Sequence, residues 1–362
     1  MAAYTAATDY AVPTGDYVTE WLEENDVSQA ELARRMGVSG KHVSKLISGA
    51  ALTPDVATKL ALVTGIPSRI WLGWEATYRA DVARLSLSEQ LAAHRSVVEL
   101  FPLAHLRKLG VVTASLRKPG VVALELFAFF GVASIGALER CVTRQAVAYR
   151  QGLAHPVDEH ALATWLRIGE LEANAEAGEL SAYDENGLRE LLPQLRALSA
   201  NPQPNFGQEL VARLARVGVQ LIYVPEVKGA RVYGATRWLQ GRPVIALTLR
   251  GRTDGQFWFT LFHEIGHVLL HKDAEAHVHS VDAQGPVNPA EVEANHFAGT
   301  TLIPTEYERF LATLRSKQDV RKFAAAIGVS PGIVVGRLWH DRIWDFKNGQ
   351  DLCMRLHFSE DD

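Results

Sequence analysis

The apolar residues of the stretch from Phe257 to His271, FWFTLFHEIGHVLLH, recur on a helical period. Phe257, Leu261, Ile265 and Val268 supply a core-facing side, and no proline interrupts the run. Asp254 is placed to cap the start of this helix. Downstream, Asn288, Pro289 and Glu291 stand in the order of N-cap, first helical residue and third residue of a capping box, which predicts another helix from Asn288 to Thr301. Upstream, Gln220 to Val224, Val232 to Trp238 and Pro243 to Leu249 are rich in β-branched residues and separated by turns, so they read as three strands.

The N-terminal pattern is entirely helical. Asp16 to Glu24 reads as a first helix, and Ser28 to Glu31 as a capping box that opens a second through Met36. Gly37 takes the left-handed conformation that ends it, Ser39 caps a third helix through Ile47, and Thr53 with Pro54 opens a fourth. Two short helices joined by a glycine turn form a helix-turn-helix. From Asp81 to Ala200 the pattern is again helical, with no cluster at catalytic spacing. The prolines and glycine of Asn201 to Gly207 mark a boundary, and Phe206 to Val217 gives one more helix. A further helical pair surrounds Gly328 in the tail from Asp319 to Leu338. The expected fold class is therefore α+β, predominantly α. Three regions are predicted: 1–80 a helix-turn-helix domain, 81–202 a helical connecting and oligomerising scaffold, and 203–362 a domain with a small sheet.

Composition narrows this. At 362 residues, 48% hydrophobic and 22% charged, the chain is ordinary globular protein and long enough for more than one core. The net charge of -4 excludes a polycation, so nucleic-acid affinity must come from a local patch. Only Cys141 and Cys353 are present, which gives no disulfide framework and no cysteine metal site. The first residues lack a secretory signal, and the apolar run from Leu126 to Leu138 is too short to span a bilayer, so it reads as one buried helix. A cytoplasmic protein without a membrane segment is expected.

In a helix-turn-helix the third helix of this module enters the major groove, and its early residues meet base edges. Gly40, Lys41, His42, Ser44 and Lys45 are the expected contacts, with Arg34 and Arg35 as further phosphate ligands, while Val43, Leu46 and Ile47 face inward. From Asp16 to Glu75 six basic residues stand against eight acidic ones, so a small helical module for protein contacts competes with operator binding. A homodimer on a palindromic site would double the contacts. Trp71, Trp74 and Tyr78 read as packing between domains.

The chemistry concentrates in His263, Glu264 and His267. Residues four apart on a helix point the same way, so the two imidazoles can share one metal ion, and burying them without a partner would be costly. Zinc is the expected cofactor, and Glu264 beside it is the expected general base. A third ligand is required. His271 lies eight residues from His263, about 12 Å along the axis, and reads as a satisfied histidine. A metzincin arrangement fails because Leu269 and Asp273 stand where its glycine and third histidine belong. With Glu291 assigned to the capping box, Glu293 becomes the expected ligand; His277, His279 and His296 read as solvated. Tyr233, Arg237 and His279 are the candidates to stabilise an oxyanion.

FTLFHEIGHVLLH followed by EVEANHFAGTTLIP resembles the ImmA/IrrE-type metallopeptidases, whose pattern is H-E-x-x-H and then E-A-N-x-F-A with an apolar segment ending in proline. That resemblance implies a gluzincin-like fold and peptide cleavage, with His263, His267 and Glu293 as zinc ligands and Glu264 as base. In the zincin arrangement an edge strand holds the extended peptide, and Val244 to Leu249 is the expected strand. The N-terminal module is similar to the Cro/repressor helix-turn-helix, and the tryptophans after it resemble HigA-like antitoxins. Together these imply a DNA-binding regulator fused to a zinc endopeptidase that cleaves itself or a partner regulator on a signal. The alternative is an antitoxin or autorepressor in which the peptidase fold is a scaffold or sensor.

Overall fold

The computed structural model describes residues 8–149, 157–175, 180–203, 205–248, 253–272, 276–280 and 289–356, with the backbone alone for 145–149 and 276–280. Two compact units divide the chain, 8–99 with 106–131, and 100–105 with 132–356. Predominantly α architecture with one small sheet is observed, as the pattern predicts.

In the N-terminal unit, α1 (Thr14–Glu24), α2 (Gln29–Met36), α3 (Gly40–Ile47) and α4 (Pro54–Thr64) follow the predicted signals. The Ser28 and Ser39 hydroxyls each accept from the backbone N–H three residues on, at 3.2 Å, and Thr53 does the same for Val56 at 3.4 Å. Glu31 does not return to Ser28; its carboxylate holds Arg34 and Arg35 instead.

Next, α5 (Ser68–Leu91) runs unbroken through position 80, where a boundary was expected. Trp71 on it is fully buried in the helix-turn-helix core, Trp74 stacks on Tyr17 at 4.3 Å, and the buried Thr14 hydroxyl donates to Glu75 at 2.6 Å. These aromatics pack within the module rather than between domains. Beyond α6 (Arg95–Val98) and α7 (Leu103–Lys108), α8 (Pro119–Phe130) lies so close to α5 that a side chain at Gly120 would strike the Ser88 carbonyl. The region 81–202 therefore forms no unit of its own; its first part is fastened to the helix-turn-helix.

The run from Leu126 to Leu138 is likewise not one helix. It breaks at Gly131, where α8 ends in a left-handed cap, and resumes as α9 (Ile135–Tyr149). Among the described residues no single helix is long and apolar enough to cross a membrane.

The C-terminal unit continues through α10 (Glu159–Ala175), α11 (Glu185–Leu198) and α12 (Phe206–Arg216) to strands β1 (Gln220–Tyr223), β2 (Val232–Leu239) and β3 (Arg242–Leu247). A fourth strand, β4 (Ala276–Ser280), was not anticipated. Strand order is β1-β3-β2-β4, with β1 parallel to β3 and the other pairs antiparallel. Since β3 is paired on both sides, Val244 to Leu247 offers no open edge, and Leu249 lies outside the described residues; the edge beside β2 is β4.

Strand alternation sorts the two faces of this sheet. Gly234 and Thr236 meet Glu264 on α13 (Asp254–Leu270), whereas Ala246, paired with Ala235, lies against Gly169 of α10. Thr253 occupies the cap of α13, one residue before the predicted Asp254. The unit closes with α14 (Pro289–Leu302), α15 (Thr305–Leu311), α16 (Lys317–Ile327) and α17 (Pro331–His340). The predicted capping residue Asn288 lies outside the described residues.

One sequence signal occurs twice. Ala33, Gly37, Val38, Ser39 and Val43 recur at constant spacing as Ala324, Gly328, Val329, Ser330 and Val334. Gly37 (φ 65°, ψ 34°) and Gly328 (φ 70°, ψ 45°) end α2 and α16 in the same left-handed cap, a conformation costly for residues with a Cβ. The same turn thus joins α2 to α3 and α16 to α17.

Candidate metal centre and nucleic-acid interface

Successive turns of α13 project His263 and His267 into the protein, and both are fully buried. Their Nε2 atoms lie 3.0 Å apart, and each is 3.3 Å from a carboxylate oxygen of Glu291. The three donor atoms fall within 4.8 Å of one another. Two ligands about 2.1 Å from one tetrahedral ion sit about 3.4 Å apart, so the donor set fits zinc.

Proton placement strengthens the fit. The Asn295 side-chain oxygen, which only accepts, lies 3.0 Å from Nδ1 of His263, so that nitrogen carries the proton. The His263 Nε2 lone pair then faces a second imidazole and a carboxylate, an arrangement that a cation satisfies. Burial works against ionisation of Glu291, but positive charge between it and the imidazoles of His263 and His267, a proton in the metal-free chain, outweighs burial and holds the carboxyl well below the ordinary carboxylate range.

Glu291 thus takes the place expected for Glu293. The reason lies in α14, whose Ala294, Ala298 and Leu302 are buried. Seven residues before Ala298, Glu291 is about 20° from it around the helix; five before, Glu293 is about 140° away. Phe297, four residues after Glu293 and on its side of the helix, is only partly buried. Glu293 is exposed and meets Nε2 of His271 at 3.0 Å. His271 in turn contacts Nδ1 of His267 through its own Nδ1, at 3.1 Å, and stays outside the donor cluster.

Glu264 is fully buried, and one of its oxygens accepts from the Thr236 hydroxyl at 2.6 Å. Gly234, two residues earlier on β2, leaves room for that carboxylate; a Cβ there would lie 2.7 Å from Oε1. The sequence reading missed Thr236, a β-branched residue like its neighbours in the strand. It also missed Asn295, although Asn295 follows Glu291 by four, on the same side of α14. Of the candidate oxyanion groups, Arg237 lies on the opposite face of the sheet, 3.9 Å from Glu170 of α10, and is removed by strand alternation. Tyr233 stands in the irregularity between Val232 and Gly234, and His279 pairs in register with Gly234. His277 pairs with Thr236, and His296 is exposed.

In the N-terminal unit, Gly40, Lys41, His42, Ser44 and Lys45 are all exposed on α3, while Val43 and Leu46 are buried. Arg34 and Arg35 are exposed but engaged by Glu31, which the two guanidinium groups hold below its ordinary pKa. Exposed ion pairs of this kind are weak and exchange readily for phosphate.

Residues 18–71 match the helix-turn-helix profile, and residues 215–338 match that of the IrrE N-terminal-like domain. The chain is also 42% identical over 79 residues, 20% of its own length and 84% of the relative, to an uncharacterized HTH-type transcriptional regulator of Escherichia coli, YddM. The first match covers the module whose α3 is open to solvent, and the second covers the sheet, α13, the Glu291 helix and the α16–α17 pair. The chain therefore belongs with the HTH-type transcriptional regulators through its N-terminal Cro/repressor-type helix-turn-helix, and residues 215–338 form an IrrE N-terminal-like domain of the ImmA/IrrE, metallopeptidase-like type.

Proposed function

We propose that this protein is a DNA-binding transcriptional regulator whose C-terminal domain is a zinc-dependent endopeptidase, cleaving itself or a partner regulator when a signal arrives. The convergence of His263, His267 and Glu291 beside the buried Glu264 carries this reading. These three residues would hold a zinc ion, which would supply Lewis-acid activation of a water. Glu264 takes the proton of the attacking water and later gives it to the leaving amine, and Thr236 fixes the orientation of its carboxylate. An extended substrate segment pairs with the edge strand β4. On the DNA side, Gly40, Lys41, His42, Ser44 and Lys45 meet the operator, with two copies of the chain on a palindromic site.

The test compares wild type with Glu264→Gln and Glu291→Ala. About one zinc per chain is expected in wild type and in Glu264→Gln, because the base is not a ligand, and a loss in Glu291→Ala. Cleavage on induction should fall by about 10²–10⁴ in Glu264→Gln while operator binding persists. Undiminished cleavage by that variant would refute the role given to Glu264.

A second reading is an antitoxin or autorepressor whose peptidase fold serves as scaffold or sensor. Its regulatory half is supported by the relative YddM, an HTH-type transcriptional regulator most of whose length is covered by the 79-residue match. Here Glu264→Gln leaves both operator binding and induction unchanged, so a loss of induction in that variant excludes it.

A further inference from the structure

The contacts around His267 differ from those around His263. At His263 the Nδ1 proton goes to a neutral amide oxygen, that of Asn295, at 3.0 Å. At His267 the Nδ1 meets another imidazole nitrogen, Nδ1 of His271 at 3.1 Å, and His271 Nε2 meets the Glu293 carboxylate at 3.0 Å. The three groups come from α13, its C-cap residue and α14, and they lead from a fully buried imidazole to an exposed carboxylate.

We propose that Glu293 and His271 are positioning residues that fix the tautomer and ring orientation of His267 for metal binding. This rests on the reading of His263, His267 and Glu291 as the zinc site. A histidine that gives its Nε2 lone pair to a metal carries its proton on Nδ1, and the partner there must accept. His271 is an acceptor at Nδ1 only when its own proton is on Nε2. The Glu293 carboxylate oxygen, 3.0 Å from Nε2 of His271, takes the accepting role and so selects that tautomer of His271. Each proton assignment follows from the next, and the chain ends on the carboxylate. Without Glu293, His271 is free to place its proton on Nδ1, where two donors would oppose each other and turn the His267 ring.

The test uses the full-length chain and reads zinc affinity by competition with a chromogenic chelator, in wild type, Glu291→Ala, Glu293→Ala and His271→Phe. Histidine tautomers are read in parallel by ¹⁵N NMR of the metal-free protein. Glu293→Ala and His271→Phe are expected to weaken zinc binding by about 10–100-fold, with thermal stability of the metal-free protein unchanged. In metal-free Glu293→Ala an Nδ1–H signature of His271 should appear at the expense of its Nε2–H, while His263, held by Asn295, keeps its Nδ1–H. A merely structural role for Glu293 would leave the tautomers alone. Wild-type affinity in both variants, with zinc lost in Glu291→Ala, overturns the positioning chain and spares the zinc site. No zinc binding by wild type overturns both.

Discussion

The α2–α3 and α16–α17 pairs share a turn and differ in what their second helix faces. Position by position, Lys41, His42, Ser44 and Lys45 of α3 are replaced on α17 by Gly332, Ile333, Val335 and Gly336. The four on α3 are exposed. On α17, Gly332, Ile333 and Val335 are buried together with Val334 and Leu338. The shared Gly-Val-Ser signal encodes a local geometry and nothing more. Surface chemistry on the following helix decides whether that geometry presents side chains to a partner or braces a core. In α17 it braces: Gly332 sits against the buried Asp254 at the start of the helix that carries His263 and His267.

The sharpest break of this comparison is a charge placed on the inward face of the brace. Val334→Asp buries an unpaired carboxylate and should cost about 3–5 kcal/mol, enough to unfold the C-terminal unit in chemical denaturation. His42→Asp, one position from the equivalent Val43 but exposed, should change stability by less than about 0.5 kcal/mol while abolishing operator binding through repulsion of phosphate. A stable, zinc-binding Val334→Asp would show that α17 is not part of the core.

A gentler test uses a glycine in the first turn of each second helix, Gly332 of α17 and Gly40 of α3. At Gly332 a Cβ would lie 2.1 Å from an Asp254 oxygen, so Gly332→Ala should destabilise by about 1–3 kcal/mol. At Gly40 nothing lies within 4 Å, and Gly40→Ala should stabilise by about 0.5–1 kcal/mol. Opposite signs in thermal melting are the expected result, and equal signs would remove the distinction in packing.

The same contrast explains what was legible in the sequence. Signals that act over one helical turn were readable: the serine and threonine caps, Gly37, and the four-residue spacing of His263 and His267. The choice between Glu291 and Glu293 required knowing which side of α14 packs on α13. The residues that decide it, Ala294 and Ala298, carry little hydrophobic signal, whereas the adjacent Phe297 carries much. β4 escaped because three of the five residues of its sequence, AHVHS, are histidine or serine, and it becomes a strand by pairing with β2. The boundary expected near 80 failed because α5 continues through it, held by Trp71 and Glu75 at its start and packed at its far end against Gly120. Such contacts between distant segments leave no periodic trace in the sequence.

The smallest effect concerns Asp254, against which Gly332 packs. Its carboxylate accepts from the Met354 N–H at 3.0 Å, and its own N–H donates to the Met354 carbonyl at 2.9 Å, tying the tail to α13. Burial pushes its pKa up, and this outweighs the backbone hydrogen bonds, that from Met354 among them, which act the other way. A carboxyl whose folded-state pKa is raised contributes stability that is fully present below its unfolded value, about 4, and is lost as pH rises through the folded value. Asp254→Asn, which cannot ionise, lacks that dependence. Wild type measured against this variant should therefore be relatively more stable in mild acid than at neutral pH, with the difference declining upward from about pH 4. A difference that instead grows as pH rises would mean that the ionised carboxylate is the stabilising form, with the N-termini of α13 and α17 favouring its charge more than burial opposes it.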